Sequence, residues 1–148
     1  METVHVIMKS DATESNLVSL FDWAGIIGRI GLAWLFLWSG YGMFAHTASQ
    51  VALMQAYGMP AANILIWPTA LVEVFAGAML VVGWRARWPA LALIVFTVAT
   101  TFIFHAYWSV PADQVMNQQI EFIKNLAIVG GLLLVLAHGS GRYALDKS

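Results

Sequence analysis

Glu73 is the only charged side chain in the apolar run ILIWPTALVEVFAGAMLVVG, residues 64–83. A charge at the centre of a membrane helix costs about 2.5–3.5 kcal/mol on insertion scales, so it is kept where it pairs helices, binds a ligand or moves protons. Arg29, His105, Glu121, Lys124 and Asn125 stand in similar apolar surroundings. Glu73, Glu121 and His105 can exchange protons, and Arg29 and Lys124 can pair with carboxylates. His105, Lys124 and Asn125 can donate hydrogen bonds to a bound carbonyl. Thiolate chemistry and iron–sulfur ligation are excluded, because the 148 residues include no cysteine. His105 is the one histidine well inside an apolar run. That argues against a bis-His haem or a zinc centre, so no intrinsic cofactor or metal is expected. Nucleophile elbows, phosphate loops and dinucleotide fingerprints are likewise missing, and catalysis by this chain alone is not expected.

The elements that must position these residues follow from composition. The chain is 60% hydrophobic and 10% charged, against roughly a quarter charged in soluble domains. That balance specifies an all-α integral membrane protein in contact with the lipid bilayer. The charge of −1 and the lack of a basic patch exclude nucleic acid as a partner. Runs near 23–44, 64–83, 89–108 and 118–138 each approach the about 20 residues a spanning helix needs. They predict a four-transmembrane-helix up-down bundle over residues 21–148, preceded by a short polar segment, 1–20. That segment lacks the features of a cleavable signal, so the first run is expected to remain as a span. Lys9, Arg85, Arg87, Arg142 and Lys147 all fall on one side of such a bundle. The positive-inside rule then puts both termini in the cytoplasm.

Local signals refine the picture. Pro89 suits the first turn of its helix, whereas Pro68 predicts a kink or a late start. SQVALMQAYGMP (49–60) reads as a short interfacial helix with Val51, Met54 and Tyr57 toward lipid. Trp23, Trp67, Trp84, Trp88, Tyr107 and Trp108 near span ends form an aromatic belt.

Helical spacing groups the polar residues into one stripe per span. The stripes are Arg29–Ala33–Phe36–Gly40–Met43, Thr69–Glu73–Gly77–Leu80, Thr97–Thr101–His105–Trp108 and Asn117–Glu121–Lys124–Asn125–Ile128. With 1.5 Å of rise per residue, Glu73 lies near the midplane, with Arg29 and Lys124 each roughly 5 Å to either side. Two layers are expected: an Arg29–Glu73–Lys124 triad, and above it His105–Glu121 completed by Asn125, Asn117 and Tyr41. Such a neutral network could serve only to set helix packing.

Several segments carry a resemblance in combination. They are the early Arg29, GYGMF ending the first span, YGMP before the second, LVEVFAGAMLVVGWRARWPALAL, TFIFHAYW and QIEFIKNLAIVGGLLLVLAHGSGRYALD. Together they resemble the DoxX family of small bacterial membrane proteins, over roughly residues 26–146. The resemblance implies that Arg29, Glu73, His105, Lys124 and Asn125 are the characteristic polar residues. The family carries a Lys near the end of the first span, where this chain has Met43, so any contact made by that Lys is missing here. The resemblance also implies an accessory or anchor subunit of a quinone- or quinol-linked oxidoreductase system in the bacterial inner membrane. Its partners would be oxidoreductase subunits or a homo-oligomer. A purely structural or assembly role is the alternative, and small-molecule or proton transport ranks below both.

Overall fold

The computed structural model describes residues 2–141 and 143–146, with side chains from Leu20 onward. Its helices are α1 (Glu2–Ala45), α2 (Thr47–Ala56), α3 (Ala62–Val82), α4 (Arg87–Phe104) and α5 (Val115–His138), with a 3-10 turn at Tyr107–Ser109. No strand occurs among the described residues. Four segments are long and apolar enough to cross a membrane: Leu20–Ala45, Ala62–Val82, Arg87–Ser109 and Val115–His138. The protein is an all-α integral membrane protein. The positions of Lys9, Arg142 and Lys147 side chains, which entered the orientation argument, lie outside the described residues.

Local chemistry explains the turns. α3 stops at Gly83, whose φ of +69° is the left-handed value glycine adopts without a Cβ penalty. The Gly83 N–H bonds to Leu80 O and the Trp84 N–H to Met79 O, which satisfies two of the last carbonyls of the helix. Pro89 lies in the first turn of α4, as expected. Pro68 does not delay α3, which begins at Ala62 and carries the proline inside it.

α1 packs chiefly on α3, and α5 on α4, while α1 and α5 touch lightly. Glycines set the close approach of α1 and α3. A Cβ at Gly40 would meet Val74 Cγ2 at 2.6 Å, and one at Gly77 would meet Leu37 Cγ at 3.1 Å. The main apolar core joins Ala33 and Phe36 of α1 to Leu80 of α3, Leu93 of α4 and Leu132 of α5. α2 corrects one expectation. Met54 is buried rather than lipid-facing, and packs with Ala62 and Ile66, flanked by Val51. The apolar start of α3 gives this short helix a surface on which to bury its own.

Candidate functional site

Between the helices lies a cavity of about 510 Å³ whose walls alternate Phe, Met, Leu and Ile side chains with polar ones, including Ser39, Thr97, His105 and Gln118. Glu73 enters it from α3 and is only 4% exposed. Ser39 of α1 lines the same cavity as Glu73. Glu73 Oε2 has no hydrogen-bond partner among the described residues, and neither does buried Thr97 Oγ1 from α4. Nearer the other end of the cavity, His105 Nδ1–H donates to Gln118 Oε1 at 2.9 Å. Gln118 Nε2 in turn donates to the Tyr57 hydroxyl at 3.1 Å. This string ties α4, α5 and the end of α2 together. With its proton on Nδ1, neutral His105 keeps an acceptor lone pair on Nε2. Asn125 also lines the cavity. The site therefore offers acceptors and proton-exchanging groups inside a partly apolar chamber.

The structure separates residues that the stripes had grouped. Arg29, Glu73 and Lys124 do not form a triad. Arg29 donates through Nη1 to Ser140 O and through Nη2 to Tyr143 O, the latter at 3.4 Å. Its level explains this. A Cβ at Gly83 would meet Arg29 Nη1 at 2.9 Å, so Arg29 lies beside the end of α3. Glu73 is roughly 14 Å of helix away from that end. α1 begins well before its apolar run, so the centre of that run did not mark the middle of the bundle.

Lys124 pairs instead with Glu121 at 2.7 Å, and the two side chains are 57% and 43% exposed. His105 therefore bonds to Gln118, not Glu121. Tyr41 faces outward and packs near Trp38, away from the expected upper layer. The α1 and α3 stripes turn inward: Arg29, Ala33, Phe36, Gly40, Glu73, Gly77 and Leu80 are all buried. The α5 stripe is rotated. Asn117 and Lys124 are exposed, while Gln118, Asn125 and Leu132 face the interior.

Sequence reasoning missed Ser39 and Gln118, and it turned Tyr57 toward lipid, whereas Tyr57 lines the cavity and accepts from Gln118. Gln118 lies one turn before Glu121–Phe122, and an uncharged amide drew no attention beside two charges. The carbonyls that hold Arg29 belong to the backbone, so no side-chain search could find them. Residues 139–141 and 143–146 lie as a strap across this end. Leu145 N–H donates to Val82 O at 3.1 Å, Tyr143 stacks near Trp23 with ring centroids 5.9 Å apart, and Ser140 is buried.

Four spanning helices, a polar-ended cavity and a strapped opposite end define a small helical-bundle membrane protein. The chain belongs to the DoxX family, whose model matches residues 24–106. It is similar to the inner membrane protein YphA of Escherichia coli strain K12, at 30% identity over 122 residues, 82% of this chain and 87% of that protein. The inner membrane protein YqjF of the same strain is 31% identical over 122 residues, 82% of this chain and 88% of that one. The Surfeit locus protein 4 homolog of Schizosaccharomyces pombe is 30% identical over 124 residues; the match covers 82% of this chain but 36% of that longer protein. No solved structure matches the chain.

Proposed function

We propose that this protein is a quinone- or quinol-linked accessory subunit of an oxidoreductase system in the inner membrane, and that the Glu73 cavity receives the ring of the quinone or quinol. The observation that carries the reading is Glu73 itself: a buried carboxylate with an unpartnered oxygen, opening into a partly apolar chamber. A membrane quinol needs an apolar slot and acceptors for its two hydroxyl groups. Glu73 Oε2 and His105 Nε2 supply acceptors, and Thr97 and Asn125 supply donors to the carbonyls of the oxidised ring. The His105–Gln118–Tyr57 string holds the imidazole in one tautomer and leaves Nε2 able to take a proton. The chain's own side chains carry no electrons, so a flavin-, haem- or metal-bearing partner would supply the redox step. On the positive-inside rule we read both termini as cytoplasmic and His105 as lying toward the outer face.

Binding of short-chain ubiquinone and menaquinone analogues to the purified protein in nanodiscs tests this. Wild type should bind one of them. Glu73→Gln and His105→Ala should each weaken binding by about tenfold or more, the loss expected when a buried hydrogen bond is left unmade. Absence of binding in wild type, or unchanged affinity in both variants, rules the reading out.

A structural role is favoured for one residue. Arg29 donates through Nη1 and Nη2 to the strap carbonyls and stands apart from the Glu73 cavity, lining instead a second cavity of about 540 Å³ beside the strap. We assign it to closing the bundle, not to the ligand.

A further inference from the structure

Glu121 and Lys124 are the charges left unexplained by the cavity. Lys124 lies roughly 13 Å of helix below the start of α5, and Glu121 one turn nearer that start. Both side chains are about half exposed. The other charged side chains well inside the spans, Arg29 and Glu73, are buried. An exposed ion pair at this depth meets lipid chains that offer it neither hydrogen bonds nor a high dielectric. α5 is also the least buried of the four spans, 6% of its apolar window against 17–33% in the others.

We propose that this face of α5 docks on the same face of a second copy of the chain. The patch is neutral and carries one charge of each sign. A partner of a different kind would need its own matching pair at the same depth. A second copy already has one. Under a two-fold axis along the membrane normal, the interface uses one patch twice. Each Lys124 then lies below its own Glu121 and within reach of its partner's. Four charges close into a ring shielded from lipid. Asn117, exposed one turn before Glu121, supplies an amide that can hydrogen-bond between the helices. Ala127, one turn after Lys124 and exposed, leaves room for the approach. The inference does not depend on a quinone occupying the cavity.

The absence of native cysteine makes single-cysteine cross-linking a direct test in reconstituted lipid vesicles. Ile120→Cys, one turn from Lys124 and 50% exposed, reports the proposed face. Phe75→Cys on α3 and Val95→Cys on α4, 64% and 63% exposed, report other lipid-facing surfaces. Oxidation should give a covalent dimer several-fold more abundant for Ile120→Cys than for either control. Glu121→Lys in the Ile120→Cys background places like charges on both copies and should cut that yield to the control level. The double reversal Glu121→Lys/Lys124→Glu should restore it. Circular dichroism of each variant checks that the helices are intact; if Glu121→Lys disturbs them, the Ile120→Cys yield against the controls decides. Equal yields at the three sites, or none at Ile120→Cys, overturns the proposal. So does an Ile120→Cys dimer insensitive to charge reversal in a folded variant.

Discussion

Arg29 and Glu73 are buried to the same degree, 4% exposed each, on helices that pack against one another. Their surroundings differ. Arg29 is tied to its own backbone: two carbonyls of the strap accept from it and Gly83 lies beside it, although its Nε has no partner among the described residues and its side chain also lines a second cavity of about 540 Å³. Glu73 opens into the cavity it shares with the Ser39 and Thr97 hydroxyls, and its Oε2 has no hydrogen-bond partner among the described residues. A buried charge that donates to two backbone carbonyls of a distant segment can hold a fold together, even with one donor, Arg29 Nε, left over. A buried carboxylate with an oxygen left unpartnered lowers stability, and such groups concentrate where a ligand or a proton is handled. The two ends of this bundle therefore do different work with the same kind of residue, and substitutions at each can be set against one another.

The largest effect is expected for Arg29→Met. It keeps much of the apolar stem but leaves the Ser140 and Tyr143 carbonyls without their donor. Hydrogen bonds to a charged group contribute about 1.5–3 kcal/mol each, so a loss on the order of 3 kcal/mol is expected for the pair. Thermal unfolding in detergent, followed by helical circular dichroism, should show a lowered midpoint. Limited proteolysis should show residues 139–146 cut sooner. If the midpoint stays at the wild-type value, the strap does not depend on Arg29 and the contrast fails at its first term.

Two glycines sharpen the comparison with an intermediate effect. Gly83→Ala puts a Cβ 2.6 Å from Ala144 Cβ at a φ of +69°. Gly40→Ala puts one 2.6 Å from Val74 Cγ2 and 3.3 Å from Glu73 Cβ. Each overpacks a tight contact and should cost about 1–3 kcal/mol. The consequences should divide by location. Gly83→Ala should expose the strap to protease and leave quinone-analogue binding near wild type. Gly40→Ala should leave the strap protected and weaken binding through the displaced Glu73. Both variants failing in the same way would mean that the two ends are one cooperative unit.

Much of this division could be read from residue types and spacing. Composition and run length were enough for four spans, because the bilayer permits few alternatives. The α1 and α3 stripes placed Arg29, Gly40, Glu73 and Gly77 inward correctly, since Gly40 and Gly77 mark where those two helices meet. Depth failed for Arg29, because hydrophobic length alone does not set where a helix that extends beyond the membrane is in register with its neighbours. The α5 face failed for a related reason. Glu121 and Lys124, three apart, could satisfy each other on one helix, so the charged part of the stripe turned outward while its other members Asn125 and Ile128 stayed inward. Gln118, Asn125 and Ile128, all uncharged, are the α5 residues that line the cavity.

The smallest expected effect is the strictest test of the contrast. Glu73→Met makes the same replacement as Arg29→Met, at equal burial and on the neighbouring helix. The methionine fills a similar volume, joins an existing lining of Met43, Met54 and Met59, and removes an oxygen that faces no donor. Exchanging a poorly satisfied buried charge for a packed apolar side chain is often neutral or stabilising. The unfolding midpoint should therefore stay level or rise, by the equivalent of about 1 kcal/mol, while affinity for the quinone analogue falls. A destabilisation as large as that of Arg29→Met would mean that Glu73 holds helices together just as Arg29 does. The unpartnered oxygen would then mark no binding site, and the quinone reading would lose the observation on which it rests.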